Sequence, residues 1–261
     1  MSDSVPTKEL RSLGLYELAE NWELIVKQAN RARPSYQRFL FETVSREYHR
    51  SVERSRTARL KRAKIAEMWV METFPFHKQP RLKKDLVMQL YESLTFMKEK
   101  QDLVFIGPTG CGKTGLATAF LIHAINSGAR GLFVDFNDLV NALYQSRGDH
   151  SERQLLKRLS AYEILLIDEL GYLSCNKEQA SLFFDLMRRR HKRRSTIVTS
   201  QLGFAEWGTF LQDPHLTAAL LDRMTVNCAV FNMKDCISIR PKKILYATGK
   251  QAALDTPQSS S

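Results

Sequence analysis

The residues Gly-Pro-Thr-Gly-Cys-Gly-Lys-Thr at positions 107–114 constrain the fold most, because they form a complete phosphate-binding loop. The run before it, 102–106, is short, apolar and β-prone, and residues 115–125 have apolar side chains at helical spacing. A strand, a glycine-rich loop and a helix in this order present backbone N–H groups to phosphate oxygens at the helix N-terminus. The chain is therefore predicted to bind a nucleoside triphosphate and not to contain a chance glycine-rich turn.

The loop's side chains have separate predicted roles. Lys113 is expected to reach the β- and γ-phosphates, and the Thr114 hydroxyl is expected to ligate Mg²⁺. The predicted nucleotide-binding residues are Gly107, Pro108, Thr109, Gly110, Cys111, Gly112, Lys113 and Thr114.

After the loop, strand-like and helix-like segments alternate, which predicts a five-stranded parallel sheet between helices, an α/β fold. The expected strands are 102–106, 131–135, 163–167, 195–199 and 228–232. The expected helices are 113–127, 137–147, 152–160, 177–191 and 215–224.

The part before the loop has helical periodicity from residue 8 to about 70, with a break at Pro34. Two prolines near 75–80 mark a linker, and residues 82–97 are expected to form one more helix. These patterns predict a small all-helical domain at 1–72, a nucleotide-binding domain at 73–250 and a disordered tail at 251–261.

The acidic pair Asp168-Glu169 follows the apolar run 164–167, fifty-five residues after Lys113. In open α/β sheets ligands bind at the carboxyl ends of the strands. Asp168 is therefore expected to hold Mg²⁺, and Glu169 to polarise a water that attacks the γ-phosphate. This pairing favours hydrolysis over transfer to a small-molecule acceptor.

Three further residues are candidates for contact with the phosphates. Gln201 follows the strand 195–199 and could orient the attacking water. Arg223 could reach a neighbouring subunit's ATP site, although it could instead stabilise a helix C-terminus or pair with Asp222. Arg240 is a weaker candidate for a contact within its own subunit.

The net charge of +11 is concentrated ahead of the loop, where residues 27–64 contain twelve Lys/Arg and three Glu. Such a concentration indicates a polyanionic partner, and nucleic acid is the first choice. On a helix over 45–68, one face about 80° wide carries Arg46, Arg50, Arg54, Lys61 and Lys64. Tyr48, Val52 and Ala63 lie on the opposite face and are expected to pack against the protein.

A second basic run, at 188–194, has six Lys/Arg in seven residues, more than helix capping requires. Its candidate DNA contacts are Arg188, Arg189, Arg190, Lys192, Arg193 and Arg194. No sequence-reading module is present, so binding to double-stranded DNA is expected to be largely independent of sequence and steeply salt-dependent.

Taken together, 107–114, 164–169, 199–201 and 222–223 resemble the AAA+ clade of helicase loaders and initiators. The segment 199–207 and the Arg-rich N-terminus resemble IstB-type helpers of insertion-sequence transposition, over roughly residues 8–245. The resemblance implies ATP as the nucleotide, self-assembly on DNA, DNA remodelling and recruitment of a transposase. Where that family usually has Asn, this chain has Gln201, one methylene longer.

Other functions remain open at the sequence level. A replicative helicase loader would use the N-terminal helices to bind a helicase, and an architectural protein would use ATP only to polymerise on DNA. A nucleotide kinase explains neither Arg223 nor the basic helix. No apolar stretch reaches the length of a membrane span, and four cysteines without metal-ligand spacing favour a reduced compartment. We therefore expect a cytoplasmic protein with no membrane partner, and the resemblance implies that it forms a homo-oligomer.

Overall fold

The computed structural model describes residues 5–80, 82–236 and 238–239. Five parallel strands form one sheet in the order β2-β3-β4-β1-β5. The strands are β1 (Asp102–Ile106), β2 (Gly131–Asp135), β3 (Ile164–Leu170), β4 (Ser195–Ser200) and β5 (Cys228–Asn232).

The helices precede the sheet and alternate with its strands. Before β1 they are α1 (Thr7–Ser12), α2 (Tyr16–Ala32), α3 (Tyr36–Arg62), α4 (Lys84–Ser93) and α5 (Thr95–Lys98). After β1 they are α6 (Lys113–Asn126), α7 (Phe136–Gly148), α8 (Glu152–Ala161), α9 (Lys177–Arg190), α10 (Trp207–Leu211) and α11 (Pro214–Thr225). The predicted five-stranded parallel sheet is therefore confirmed.

The sheet is apolar on both faces because helices cover both. The strands β1 and β4 are buried along their whole lengths, and α6 lies almost entirely within the core. One apolar cluster contains Leu165, Ile167 and Val198, and a second contains Leu166, Ile197 and Phe105. Alternate residues of each strand thus enter different layers, as expected for a doubly covered sheet.

The prediction of a single helix over 82–97 is wrong. This segment is divided into α4 and α5 at Leu94, which has a left-handed backbone with φ of 49°. Leu94 is also the C-terminal cap of α4, and its N–H donates to the Leu90 carbonyl. This geometry ends a helix and redirects the chain toward β1.

The N-terminal helices contact the α/β part through α3. The N–H of Phe133 in the edge strand β2 donates to the Ala63 carbonyl at 2.8 Å, and Arg56 Nε donates to Asn126 Oδ1 at 2.7 Å. The end of α3 therefore covers part of an otherwise open sheet edge. The domain boundary at residue 72 stays a prediction.

A buried carboxyl group begins the interior strand β1. Asp102 is 8% exposed and accepts a hydrogen bond from the Thr196 N–H at 2.7 Å. Burial raises the pKa of Asp102 to about 7, and the Thr196 hydrogen bond and nearby Arg190 offset only part of that effect. The folded chain thus binds this proton more tightly than the unfolded chain, in which Asp has a pKa of about 3.9.

We predict that Asp102→Asn changes how stability depends on pH. The stabilisation linked to protonated Asp102 is complete below about pH 4 and is lost as pH rises through about 7. Relative to the variant, the wild type should therefore lose free energy of unfolding between about pH 4 and pH 7. Urea denaturation of both proteins across this range measures the difference, and parallel curves would contradict the prediction.

Candidate ATP site and basic surfaces

The phosphate-binding loop joins β1 to α6 and depends on its glycines. Gly110 and Gly112 have φ values of 84° and 96°, a backbone region that L-residues rarely adopt. A Cβ atom on Gly112 would lie 2.7 Å from a ring carbon of Phe74. Gly112 is followed directly by α6, so the free N–H groups of the first helical turn face the loop.

Five of the eight predicted loop residues line one cavity of about 630 Å³, within the size range of cofactor sites, whereas Gly107, Pro108 and Cys111 are not part of its lining. Its lining includes Lys113, Thr114, Asp168, Glu169 and Gln201, which come from β1–α6, β3 and β4. Lys113 Nζ donates to the Pro108 carbonyl at 2.8 Å, so its cationic end lies over the loop. The structure therefore brings these five residues together, and their roles toward a nucleotide stay predictions.

The candidate Mg²⁺ ligands are in direct contact. Asp168 Oδ1 accepts hydrogen bonds from the Thr114 hydroxyl at 3.0 Å and from the Thr199 hydroxyl. Burial raises the pKa of Asp168, although both hydroxyl hydrogen bonds act in the opposite direction. One carboxylate, one hydroxyl and phosphate oxygens are the ligands that Mg²⁺ uses in such sites. Within the described ranges, no cluster of three His, Cys, Asp or Glu side chains could hold a metal.

Glu169 lies where β3 departs from regular pairing with β4. The register shifts between Ile167 and Leu170, and Glu169 has a φ of 57°. Its N–H donates to the Thr199 hydroxyl at 3.0 Å, which holds the bulge against β4. A bulge re-aims side chains at the end of a strand. Here it leaves Asp168 buried while the adjacent Glu169 is exposed at the cavity.

The sequence did not identify several residues that shape the site. A Cβ atom on Gly115 would lie 2.9 Å from the Trp69 ring, and buried Gln79 donates from Nε2 to the Cys111 carbonyl at 2.9 Å. The segment 69–79 therefore packs directly against the phosphate-binding loop. Its aromatic residues were the available signal, but their pattern does not show which loop they contact. Thr199 was missed because a strand threonine has no distinctive spacing.

Arg223 lies far from the ATP cavity of its own chain. It borders a small crevice together with Asp102 and Thr196, which begin β1 and β4, whereas the phosphate-binding loop follows the other end of β1. Arg223 Nη1 donates to the Ala219 carbonyl at 2.7 Å, and the guanidinium lies 4.9 Å from the Phe184 ring centroid. These contacts explain its position without an ion pair to Asp222. The other arginine candidate, Arg240, lies outside the described residues.

The assignment of the two faces of α3 is wrong for two of its three apolar residues. Tyr48 and Val52 do not pack against the protein, since they are 63% and 44% exposed, whereas Ala63, directly after the helix, is buried as predicted. The arginine face contacts α2 while staying exposed, and Arg50 forms ion pairs with Glu17 and Glu20 of that helix.

The other arginines of this face also contact α2. Arg54 stacks on Tyr16 at 4.0 Å, and Arg46 donates to Gln28 at 3.3 Å. Glu47 accepts from the Leu18 N–H at 3.0 Å and so caps α2. These contacts give the arginine face a structural role between the two helices.

The basic end of α3 also differs from the prediction. The helix ends at Arg62, and Lys64 has a left-handed backbone with φ of 55°, so Lys64 does not share a helical face with the arginines. Lys61 remains on the helix and is exposed.

The second basic run contains three different environments. Arg190 is 1% exposed and donates four hydrogen bonds to the protein, so its assignment as a DNA contact is wrong. Arg188 and Arg189 both pair with Asp185 on the same helix. Lys192 and Arg193 are exposed, and Arg194 is half-buried.

The sheet order, the phosphate-binding loop and the acidic end of β3 define a phosphate-loop fold of the AAA+ type. Similar folds occur in AMPPCP-bound DnaA from Aquifex aeolicus, with a TM-score of 0.52, 18% identity and 62% of this chain covered against 50% of that chain. They also occur in DnaI, with a TM-score of 0.51, 18% identity and coverage of 58% and 85%.

The chain belongs to the IstB-like ATP binding protein family, whose profile matches residues 8–246. It is 34% identical to the insertion sequence IS21 ATP-binding protein of Pseudomonas aeruginosa, over 86% of this chain and 84% of that protein. It is 33% identical to the IS5376 counterpart of Geobacillus stearothermophilus, over 89% and 92%. The resemblance inferred from the motifs is thus confirmed. No helix among the described residues is long and apolar enough to span a membrane.

Proposed function

We propose that this protein hydrolyses ATP with Mg²⁺ to control its assembly on duplex DNA during insertion-sequence transposition. In this proposal it remodels the target DNA and recruits or stimulates the transposase. The supporting observation is the single cavity that unites Lys113, Asp168 and the exposed carboxylate of Glu169. A triphosphate-binding loop alone would support only binding, whereas a carboxylate beside the metal site suits activation of water. The relatives' names supply the link to insertion sequences.

We further propose that the ATP site is completed by a second subunit. Arg223 is at the edge of the sheet opposite its own phosphate-binding loop, so it can act on ATP only in a neighbour. A head-to-tail interface of this kind generates rings or helical filaments. The exposed apolar stripe on α3, formed by Phe41, Val44, Tyr48 and Val52, gives further surface for association with a second protein chain.

Mixing two inactive variants should test the shared site. Lys113→Ala subunits lack the phosphate-binding lysine, and Arg223→Ala subunits lack the arginine in trans, so each alone should hydrolyse little ATP. At equal amounts, roughly a quarter of random head-to-tail interfaces combine an intact Lys113 with an intact Arg223. Phosphate release should therefore recover to about that share of the wild-type rate.

The matched control mixes Lys113→Ala with the double variant Lys113→Ala/Arg223→Ala, in which every ATP site lacks the lysine. This mixture should stay inactive at all ratios. Absence of recovery in the first mixture, with both variants still able to assemble, would contradict the action of Arg223 in trans.

A second candidate function is that of a helicase loader, supported by the fold similarity to DnaI. In that case the N-terminal helices would bind a helicase, and the apolar stripe on α3 would be the natural contact. Affinity measurements of the whole 261-residue chain for duplex DNA, for an insertion-sequence transposase and for a replicative hexameric helicase distinguish the two. Binding to the helicase alone would favour the loader.

A further inference from the structure

A cleft lined by four arginines lies at the amino-terminal edge of the sheet. It has a volume of about 230 Å³, and its cations are Arg59 and Arg62 of α3, Arg130 before β2 and Arg158 of α8. Its floor includes Gly131, the first residue of β2. The cleft is therefore separate from the ATP cavity, which lies where the strands end.

The positive charge of this cleft is mostly uncompensated. Arg130 has Glu163 at 3.9 Å and donates to the Ala161 carbonyl at 3.2 Å, while Arg59 Nε donates to the Ile125 carbonyl at 3.4 Å. Across the described residues, Arg62 and Arg158 have neither an ion pair nor a hydrogen bond to the protein. No carboxylate is among the described residues that line the cleft, and arginine side chains that converge on such a concave surface are suited to a phosphate group.

More cations extend this surface along the edge of the sheet. The Glu163 N–H donates to the Arg130 carbonyl at 2.9 Å, and the Ser195 N–H donates to the Glu163 carbonyl at 3.3 Å. The starts of β2, β3 and β4 are thus adjacent, and Arg194 lies two strands, about 10 Å, from Arg130. Lys192 and Arg193 beside it are exposed. This row of cations extends beyond the reach of a single phosphate group, so it suits a polymer that carries many phosphates.

We propose that this arginine cleft binds a backbone phosphate of duplex DNA, with Arg62 and Arg158 as the principal contacts and the 192–194 loop as a second contact. The proposal rests on the DNA-binding function proposed above and gives it a location. The cleft takes the place of the arginine face of α3 as the proposed DNA contact, because Arg50 on that face is neutralised by Glu17 and Glu20. Contacts of this kind hold the backbone and do not read sequence.

The test compares the full-length double variant Arg62→Ala/Arg158→Ala with wild type. Anisotropy of labelled duplexes of unrelated sequence gives the affinity over a range of salt concentrations. Each phosphate contact contributes about 0.9 to the slope of log affinity against log salt. Loss of two contacts should lower that slope by about 2 and weaken binding roughly ten- to sixtyfold at about 0.1 M salt.

The matched control is Arg38→Ala/Arg147→Ala, which removes the same charge at exposed arginines that are paired with Glu42, Glu152 and Glu178. It should retain the wild-type slope. Both double variants should melt near the wild-type temperature, since none of the four arginines is buried.

The outcomes separate the cleft from the proposed function. No duplex affinity in the wild type would overturn both, whereas wild-type affinity and slope in Arg62→Ala/Arg158→Ala would overturn the cleft alone. Polyglutamate and inorganic phosphate serve as the other probes. The cleft proposal also fails if the double variant loses affinity for either of these probes but keeps its affinity for the duplex.

Discussion

Replacement of Glu169 by Gln is expected to lower ATP hydrolysis by about 10²- to 10⁴-fold while leaving ATP binding intact, which is the usual contribution of a general base. Gln has nearly the same size and can still hydrogen-bond a water, but it cannot accept the water's proton. The phosphate-binding loop and the Asp168–Thr114 contact do not involve the Glu169 side chain. Binding and turnover should therefore separate in this variant.

Phosphate release under saturating ATP measures turnover, and titration with a fluorescent nucleotide measures binding. Glu152→Gln is the control, because it makes the same change at a partly exposed position in the first turn of α8. Wild-type turnover in Glu169→Gln would exclude a role for this carboxylate as the base. Negligible turnover in the wild type itself, with intact binding, would favour the architectural function in which ATP only supports polymerisation.

The sheet and the ATP site were predictable because their determinants are local in sequence. Each buried strand is a short apolar run, and β1, β2 and β5 have the predicted bounds. The parallel arrangement then brings the carboxyl ends of β1, β3 and β4 to one edge, so Lys113, Asp168 and Gln201 meet without further information. The order of strands and helices along the chain was therefore enough to predict that these three side chains lie close together.

The faces of α3 were not predictable in the same way. Judged from the sequence of α3 alone, the arginines of this face have too few carboxylate partners. The carboxylates that pair with Arg50 come from Glu17 and Glu20 of α2, about thirty positions earlier. Periodicity gives two faces and does not say which one meets a neighbour. The arginine face contacts α2 while staying exposed, and Tyr48 and Val52 are also left exposed, contrary to the expected arrangement.

The basic run 188–194 shows the same difficulty within seven residues. Arg188 and Arg190 are equivalent by composition, yet the first is exposed and the second is buried. The difference arises because Arg190, the last residue of α9, faces the end of α8 and the start of β4, where backbone carbonyl groups accept its hydrogen bonds. Arg190 reaches three of these carbonyls, those of Leu159, Tyr162 and Ser195.

Arg190→Met is accordingly expected to destabilise the fold by about 3–5 kcal/mol, because it removes one partner of a buried polar network. Met keeps most of the side-chain volume but leaves the three carbonyl groups and Thr196 Oγ1 without their donor. Burial lowers the pKa of Arg190 to about 10, so the guanidinium remains charged at neutral pH and its hydrogen bonds are charge-assisted. The carboxyl group of Asp102, whose charge raises the pKa of Arg190, would also lose this nearby cation.

Arg188→Met is the matched control, since it makes the same substitution two residues away on the same helix. Its ion pair with Asp185 is exposed, and such pairs contribute about 0–1 kcal/mol. Urea denaturation of both variants gives the free energies of unfolding. Equal stability of the two variants would contradict the structural role of Arg190. A large loss in Arg190→Met, with duplex affinity unchanged at temperatures where the variant is folded, would show that its role is to hold the sheet edge and not to contact DNA.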